Sequence, residues 1–162
     1  MEDKLSKRKN IRLDNYDYGS CGAYFITICT IERRNFFWNN VGATTLCPQD
    51  IELSECGKIV DEAINNISII YPSVTVIQYV IMPDHVHLLL MINADENGRP
   101  MVAPTIPRVM KQLKGYVTKR IGFSVWQKLY FDHVVRNRND FEECAKYIHE
   151  NPTRWQYRRS KK

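Results

Sequence analysis

Tyr79-Val80-Ile81-Met82-Pro83-Asp84-His85-Val86-His87-Leu88-Leu89-Leu90 is the stretch on which the fold turns. It is an apolar run carrying two histidines two residues apart. In a strand, side chains alternate between faces, so His85 and His87 share one face. Val86, Leu88 and Leu90 then point the other way, towards a core. Pro83 cannot donate to a ladder, so Pro83-Asp84 divides the run. Two strands are expected, Val74–Met82 and His85–Ile92, meeting in a tight turn or at a bulge. Two imidazoles on one rigid face supply two corners of a metal site. Packed histidines would produce the same pattern, so the pair needs support from elsewhere in the chain.

Working outward, Ala23 to Thr30 is β-branched and aromatic and reads as a strand. Asn35 to Trp38 reads as a short strand or a buried loop, and residues 39–53 are irregular. From Ser54 to about Ile70, Ile59, Val60, Ala63, Ile64, Ile67 and Ile70 recur at helical spacing. A second helix is expected from Thr105 to about Ile121, with Pro107 in its first turn and Gly122 closing it. Trp126 to Val135 has strand character. A last helix is expected to begin at Asn139, with Glu142 completing a capping box, and to stop before Pro152. The order strand, helix, strand, strand, helix, strand, helix predicts an α+β fold. The expected architecture is a ferredoxin-like (RRM-like) βαββαβ sandwich with an antiparallel sheet and an added C-terminal helix.

The 162 residues predict one domain over 14–155, between a basic arm at 1–13 and a basic tail at 156–162. No run reaches the roughly 18 apolar residues that span a bilayer. Met1 to Asn10 has no apolar leader segment. The five cysteines are scattered, with no CxxC pair, which argues against a disulfide framework and predicts a reducing cytoplasm. The formal charge is +5. Arg8, Lys9 and Arg12 crowd the start, Arg154, Arg158 and Arg159 the end, and Lys111, Lys114, Lys119 and Arg120 lie between. Tyr16, Tyr18, Tyr116, Trp126, Trp155 and Tyr157 sit close to these clusters, a mixture suited to a polyanion with flat bases.

The last helix offers the missing groups. Tyr147 and Asn151 are four residues apart on one side of it, and Glu143 lies a turn earlier on the same stripe. His149 falls on the opposite side. For His133 a phosphate contact and a packing or hydrogen-bonding role both stay open, the second favoured. Tyr147 also reads as an edge residue of an amphipathic helix, and Tyr116 is another helical tyrosine after the histidine pair.

These residues carry a resemblance. "YVIMPDHVHLLL" resembles the HUH motif of single-tyrosine HUH endonucleases, most closely the REP-associated tyrosine transposases, relatives of small insertion-sequence transposases. "RLDNYDYGSCGAYFITICTIERR", "TIPRVMKQLKGYVTKRIG" and "VWQKLYFDHVVRNRNDFEECAKYIHENPTRW" resemble further blocks of that family, so the likeness runs from about Arg8 to Trp155. It implies that His85, His87 and Asn151 are metal ligands, for Mg²⁺ or Mn²⁺, and that Tyr147 is the nucleophile. It implies cleavage of single-stranded DNA near a hairpin through a 5′-phosphotyrosine, with rejoining of ends. Arg8, Lys9, Arg12, Lys111, Lys114, Lys119, Arg120 and Arg154 are the expected DNA contacts. Asp84 departs from the asparagine of many relatives and bears on the metal or only on the turn. Monomer and homodimer stay open.

The chemistry accounts for these residue types. A phenol of pKa about 10 is a weak nucleophile at neutral pH. A divalent ion on the phosphate oxygens offsets developing charge, and two imidazoles with one oxygen donor leave positions for it to do so. Lys146 and Arg154 are the cations offered for favouring the phenolate. Other readings share some of these features. A relaxase or replication-initiator nickase has the same histidine pair. A non-catalytic nucleic-acid-binding sheet would bind regardless of chelator. A small metal-binding domain would lack salt-sensitive affinity for nucleic acid.

Overall fold

The computed structural model describes residues 22–41, 51–94 and 105–161. The arm with Arg8, Lys9 and Arg12 lies outside them, as do Cys21 and Cys47. The elements are β1 (Gly22–Cys29), α1 (Glu55–Asn65), α2 (Ile67–Ile70), β2 (Val74–Ile81), β3 (His85–Ile92), α3 (Ile106–Ile121), β4 (Phe131–Val135) and α4 (Arg138–Ser160). The sheet order is β2-β3-β1-β4 and every neighbouring pair is antiparallel. This is the expected ferredoxin-like arrangement with an additional C-terminal helix.

Alternation along the two central strands separates two environments. Tyr24, Ile26 and Ile28 of β1 and Val86, Leu88, Leu90 and Ile92 of β3 join the main core. That core is closed by Val60, Ala63 and Ile64 of α1 and by Ile106, Val109, Met110, Leu113 and Val117 of α3. Each Val, Leu, Ile or Met among them contributes about 1.5–3 kcal/mol by leaving water. On the opposite face a smaller cluster, Phe25 and Leu89 with Cys144 and Ile148 of α4, seats the last helix on the sheet.

Four local expectations are corrected. The helix expected from Ser54 to Ile70 is interrupted at Asn66, whose N–H bonds back to Glu62 and Ile64 before α2 begins. Its start is as read: the Ser54 hydroxyl caps it by accepting from the Gly57 N–H at 3.0 Å. The last strand is shorter than expected. Trp126 is buried against Phe37 and makes only an isolated bridge to Thr30. The carbonyls of Gln127 and Lys128 then accept from Lys114 Nζ instead of joining a ladder.

The other two corrections concern α4. Its cap is Asn137, not Asn139; the Asn137 carbonyl oxygen accepts from the Asp140 N–H at 2.9 Å. The helix also runs through Pro152 to Ser160, making residues 156–160 helical. A proline inside a helix costs about 3 kcal/mol in a lost hydrogen bond and a clash. Contacts on both sides of Pro152 offset this. Trp155 packs edge-on against Trp38 at 5.2 Å, and Glu150 pairs with Lys146 at 3.7 Å and Arg154 at 2.6 Å.

Candidate active site

The β2–β3 hairpin that presents the histidines closes through Pro83-Asp84, with the Met82 N–H bonding the His85 carbonyl at 2.8 Å. The segment after β1 clamps this turn. Pro83 O accepts from the N–H groups of Phe36 and Phe37, and Asp84 O accepts from the Thr30 N–H and hydroxyl. The hairpin tip therefore cannot shift without breaking contacts to another part of the chain.

His85 and His87 are both buried, and their rings lie 4.7 Å apart. The register pairs Thr27 with His87 and Cys29 with His85. That register places the Thr27 hydroxyl 2.7 Å from His87 Nδ1. Asp84 Oδ1 lies 2.6 Å from His85 Nδ1. Each imidazole thus has one nitrogen engaged by a neighbour. The other nitrogen of His87, Nε2, is buried without a hydrogen-bond partner. Burial first, then the charges of His85 and Arg33, lower the His87 pKa to about 3. The ring is therefore neutral at physiological pH, the form that ligates metals.

Helix α4 brings its polar stripe over this pair. The Tyr147 ring is 5.1 Å from that of His87 and 6.0 Å from that of Phe25. Tyr147 is 39% exposed, whereas Asn151 is buried. The Arg154 guanidinium lies 5.9 Å from the centre of the Tyr147 ring. His85, His87, Tyr147 and Asn151 line one cavity of about 380 Å³, together with Phe25, Thr27, Arg33, Phe131, Arg154, Trp155 and Arg158. A buried nitrogen with no partner, beside a second imidazole and a buried amide, is a donor set that fits a divalent cation.

Other residues from the sequence reading lie elsewhere. Glu143 lines a separate crevice of about 480 Å³ with His133, Arg136, Asn137, Asn139 and Asp140. His133 hydrogen-bonds Asp140 at 2.9 Å, which ties β4 to the start of α4. The potential ligand atoms of His133, Asp140 and Cys144 lie within 4.8 Å of one another. Burial and the neighbouring Asp140 push the Cys144 thiol up to about 11, away from the thiolate a metal needs. Asp140 is already held by the Arg136 N–H at 3.0 Å. This group is accounted for by the helix start. His149 is exposed and is not among the residues that line the cavity. The Tyr116 hydroxyl donates to Glu62 Oε1 at 2.5 Å on the α1/α3 side of the sheet.

Among the described cations expected to meet DNA, Arg154 lines the cavity. Lys111 and Lys119 are exposed on α3, across the sheet from it. Lys114 is committed to the two carbonyls above, and its pKa is lowered by burial. Arg120 bonds Glu62 at 3.3 Å and the Tyr116 hydroxyl at 2.9 Å. Several cavity residues had no role in the sequence reading: Phe25, Thr27, Arg33 and Phe131. Phe25 and Thr27 were available from strand parity once the β1–β3 register was known. Arg158 continues the helical stripe of Tyr147, Asn151 and Arg154, a signal that an expected stop at Pro152 hides.

No protein-family model matches the chain. It is 29% identical over 171 aligned positions to an uncharacterized protein of Haemophilus influenzae, covering 94% of this chain and 92% of the relative. It is 25% identical over 95 residues to a protein of the same organism named as a candidate REP-associated tyrosine transposase, covering 54% of this chain and 53% of the relative. A solved structure of a REP-associated tyrosine transposase bound to a REP hairpin superposes with a TM-score of 0.58 at 20% identity. That superposition covers 83% of this chain and 68% of the other. In sequence over half its length, and in fold over most of it, this chain is similar to REP-associated tyrosine transposases.

Proposed function

We propose that the protein is a metal-dependent endonuclease and strand transferase, transposase-like, acting on single-stranded DNA near a hairpin. The observation that carries the proposal is the position of Tyr147. Its ring lies 5.1 Å from His87 in a cavity shared with His85 and Asn151. The likeness to transposases, and the hairpin bound by the solved relative, support the substrate class.

His85, His87 and Asn151 would hold a Mg²⁺ or Mn²⁺ ion, and that ion would supply charge neutralisation on the phosphate oxygens. Tyr147 supplies the nucleophile. Its phenol oxygen bonds to phosphorus as the bond from phosphorus to the 3′ oxygen breaks. The phenol proton leaves to solvent, and the 3′ oxygen takes one up. The products are a 5′-phosphotyrosine and a free 3′-hydroxyl; attack by a 3′-hydroxyl in the reverse sense rejoins ends. The Arg154 guanidinium lies over the phenol ring, and Arg158 lines the cavity beside Arg33 and Arg154, which are paired with Asp84 and Glu150, as a cation for a strand of phosphates. Phe131, 42% exposed at the rim, offers a face for an unpaired base.

The test is incubation with a single-stranded hairpin oligonucleotide and Mn²⁺ or Mg²⁺, followed by denaturing electrophoresis. A covalent protein–DNA adduct is expected, absent in Tyr147→Phe and with EDTA. An adduct that survives Tyr147→Phe overturns the nucleophile. Tight binding indifferent to EDTA, without adduct, identifies a non-catalytic nucleic-acid-binding module instead.

A further inference from the structure

The segment after β1 is strained in a way its sequence does not require. Glu32 and Arg33 both have positive φ, 50° and 55°, in the left-handed region that residues other than glycine avoid. Such conformations persist only where the surroundings over-determine them. Here the Arg33 N–H bonds Thr30 O at 3.2 Å, the Arg34 N–H bonds Ile31 O at 3.1 Å, and the Ile31 N–H bonds Val125 O at 2.8 Å.

This backbone delivers the Arg33 side chain to the cavity wall. Its Nε lies 3.0 Å from Asp84 Oδ2. Its Nη1 donates to Cys29 Sγ at 2.7 Å. The other carboxylate oxygen, Asp84 Oδ1, lies 2.6 Å from His85 Nδ1. Asp84 and His85 are largely shielded, with side chains 13% and 9% exposed. Thr30 fixes the Asp84 backbone through two hydrogen bonds to its carbonyl. The carboxylate is thus held at its backbone and at both oxygens.

We propose that Arg33 and Asp84 are positioning residues for His85: Asp84 accepts the Nδ1 proton, fixing the tautomer whose Nε2 lone pair serves the metal, and Arg33 fixes Asp84. This rests on the metal reading of His85, His87 and Asn151. A second imidazole of the molecule shows what a histidine–aspartate contact does without such an arrangement. His133 meets Asp140 through Nε2, at a helix start. His85 meets its carboxylate through Nδ1 and keeps Nε2 for another partner. On the adjacent strand the Thr27 hydroxyl lies 2.7 Å from the same ring nitrogen, Nδ1, of His87. Both histidines of the pair are therefore held by the same ring nitrogen, by two different residues.

The experiment uses the full chain in two readouts. The first is the ¹⁵N NMR tautomer of His85 in metal-free protein at about pH 8. The second is Mn²⁺ binding, read as loss of the free-ion EPR signal. Wild type is expected to carry the proton on Nδ1 and to bind Mn²⁺. Asp84→Ala releases the tautomer and weakens Mn²⁺ roughly 10–100-fold, the range for a carboxylate behind a ligating histidine. Asp84→Asn keeps an accepting oxygen and recovers much of the affinity. Arg33→Ala lies between wild type and Asp84→Ala.

A His85 proton on Nε2 in wild type overturns the proposal, as does Asp84→Ala with unchanged tautomer and unchanged Mn²⁺ affinity. The metal-site reading survives those results if wild type binds Mn²⁺ and His85→Ala does not. Conversely, wild type that fails to bind millimolar Mn²⁺ removes the metal reading, and this proposal with it, even where the tautomer is as expected.

Discussion

The two faces of the sheet are made by the same strands and do opposite work. In β3, Val86, Leu88, Leu90 and Ile92 enter a core sealed by α1 and α3. The residues alternating with them include His85 and His87, under a single helix that leaves a cavity of about 380 Å³. In β1, Ile26 and Ile28 face the core while Phe25 and Thr27 face the cavity. Buried apolar atoms need only a close-packed neighbour, so any well-filled arrangement serves. Buried imidazoles need a directed partner for each nitrogen, so their face depends on particular atoms: the Thr27 hydroxyl and the Asp84 carboxylate. Core-face changes should therefore be read in stability, and cavity-face changes in binding and pH dependence.

The largest effect is expected on the core face. Leu88 is fully buried, and Leu88→Ala should cost about 3 kcal/mol in urea unfolding through lost burial and a cavity. Metal affinity of the folded fraction should stay near wild type. A loss of affinity instead would mean that the two faces are not separable.

The next effect concerns acid. The folded pKa of His87 is lowered to about 3 from an ordinary 6.5. The unfolded chain takes up a proton at His87 as pH falls through about 6.5, while the folded chain resists until far lower. Stability from this group is therefore complete above about 6.5 and is lost as pH falls towards 3, at up to about 1.4 kcal/mol per pH unit. His87→Gln, measured without metal, should flatten that slope between pH 6 and 4 relative to wild type. An identical slope in the two proteins would show that the face is hydrated rather than closed.

Thr27→Val should have the smallest effect. It removes the hydroxyl 2.7 Å from His87 Nδ1 while keeping the shape. Mn²⁺ affinity should fall roughly tenfold, with a change in unfolding free energy below about 1 kcal/mol. A stability loss rivalling that of Leu88→Ala would show that this hydroxyl is structural rather than part of the site.

Much of this was legible in the chain itself. Period-two alternation around His85 and His87 assigns their shared face, because strand geometry leaves no other option. The order of apolar runs yields the ferredoxin-like topology, and the four-residue spacing of Tyr147 and Asn151 places them on one stripe of a helix. These are local properties, carried by residues a few positions apart. What folding alone decided joins residues far apart in sequence. Thr27 meets His87 through strand register, sixty positions away. Arg33 meets Asp84 through a left-handed turn that no local preference predicts. Helix α4 continues past Pro152, with Trp155 packed on Trp38 and Glu150 paired with Lys146 and Arg154 on either side of the proline. The residues offered for the site could thus be named from sequence, whereas their orientation depends on partners that only tertiary packing brings within hydrogen-bond distance.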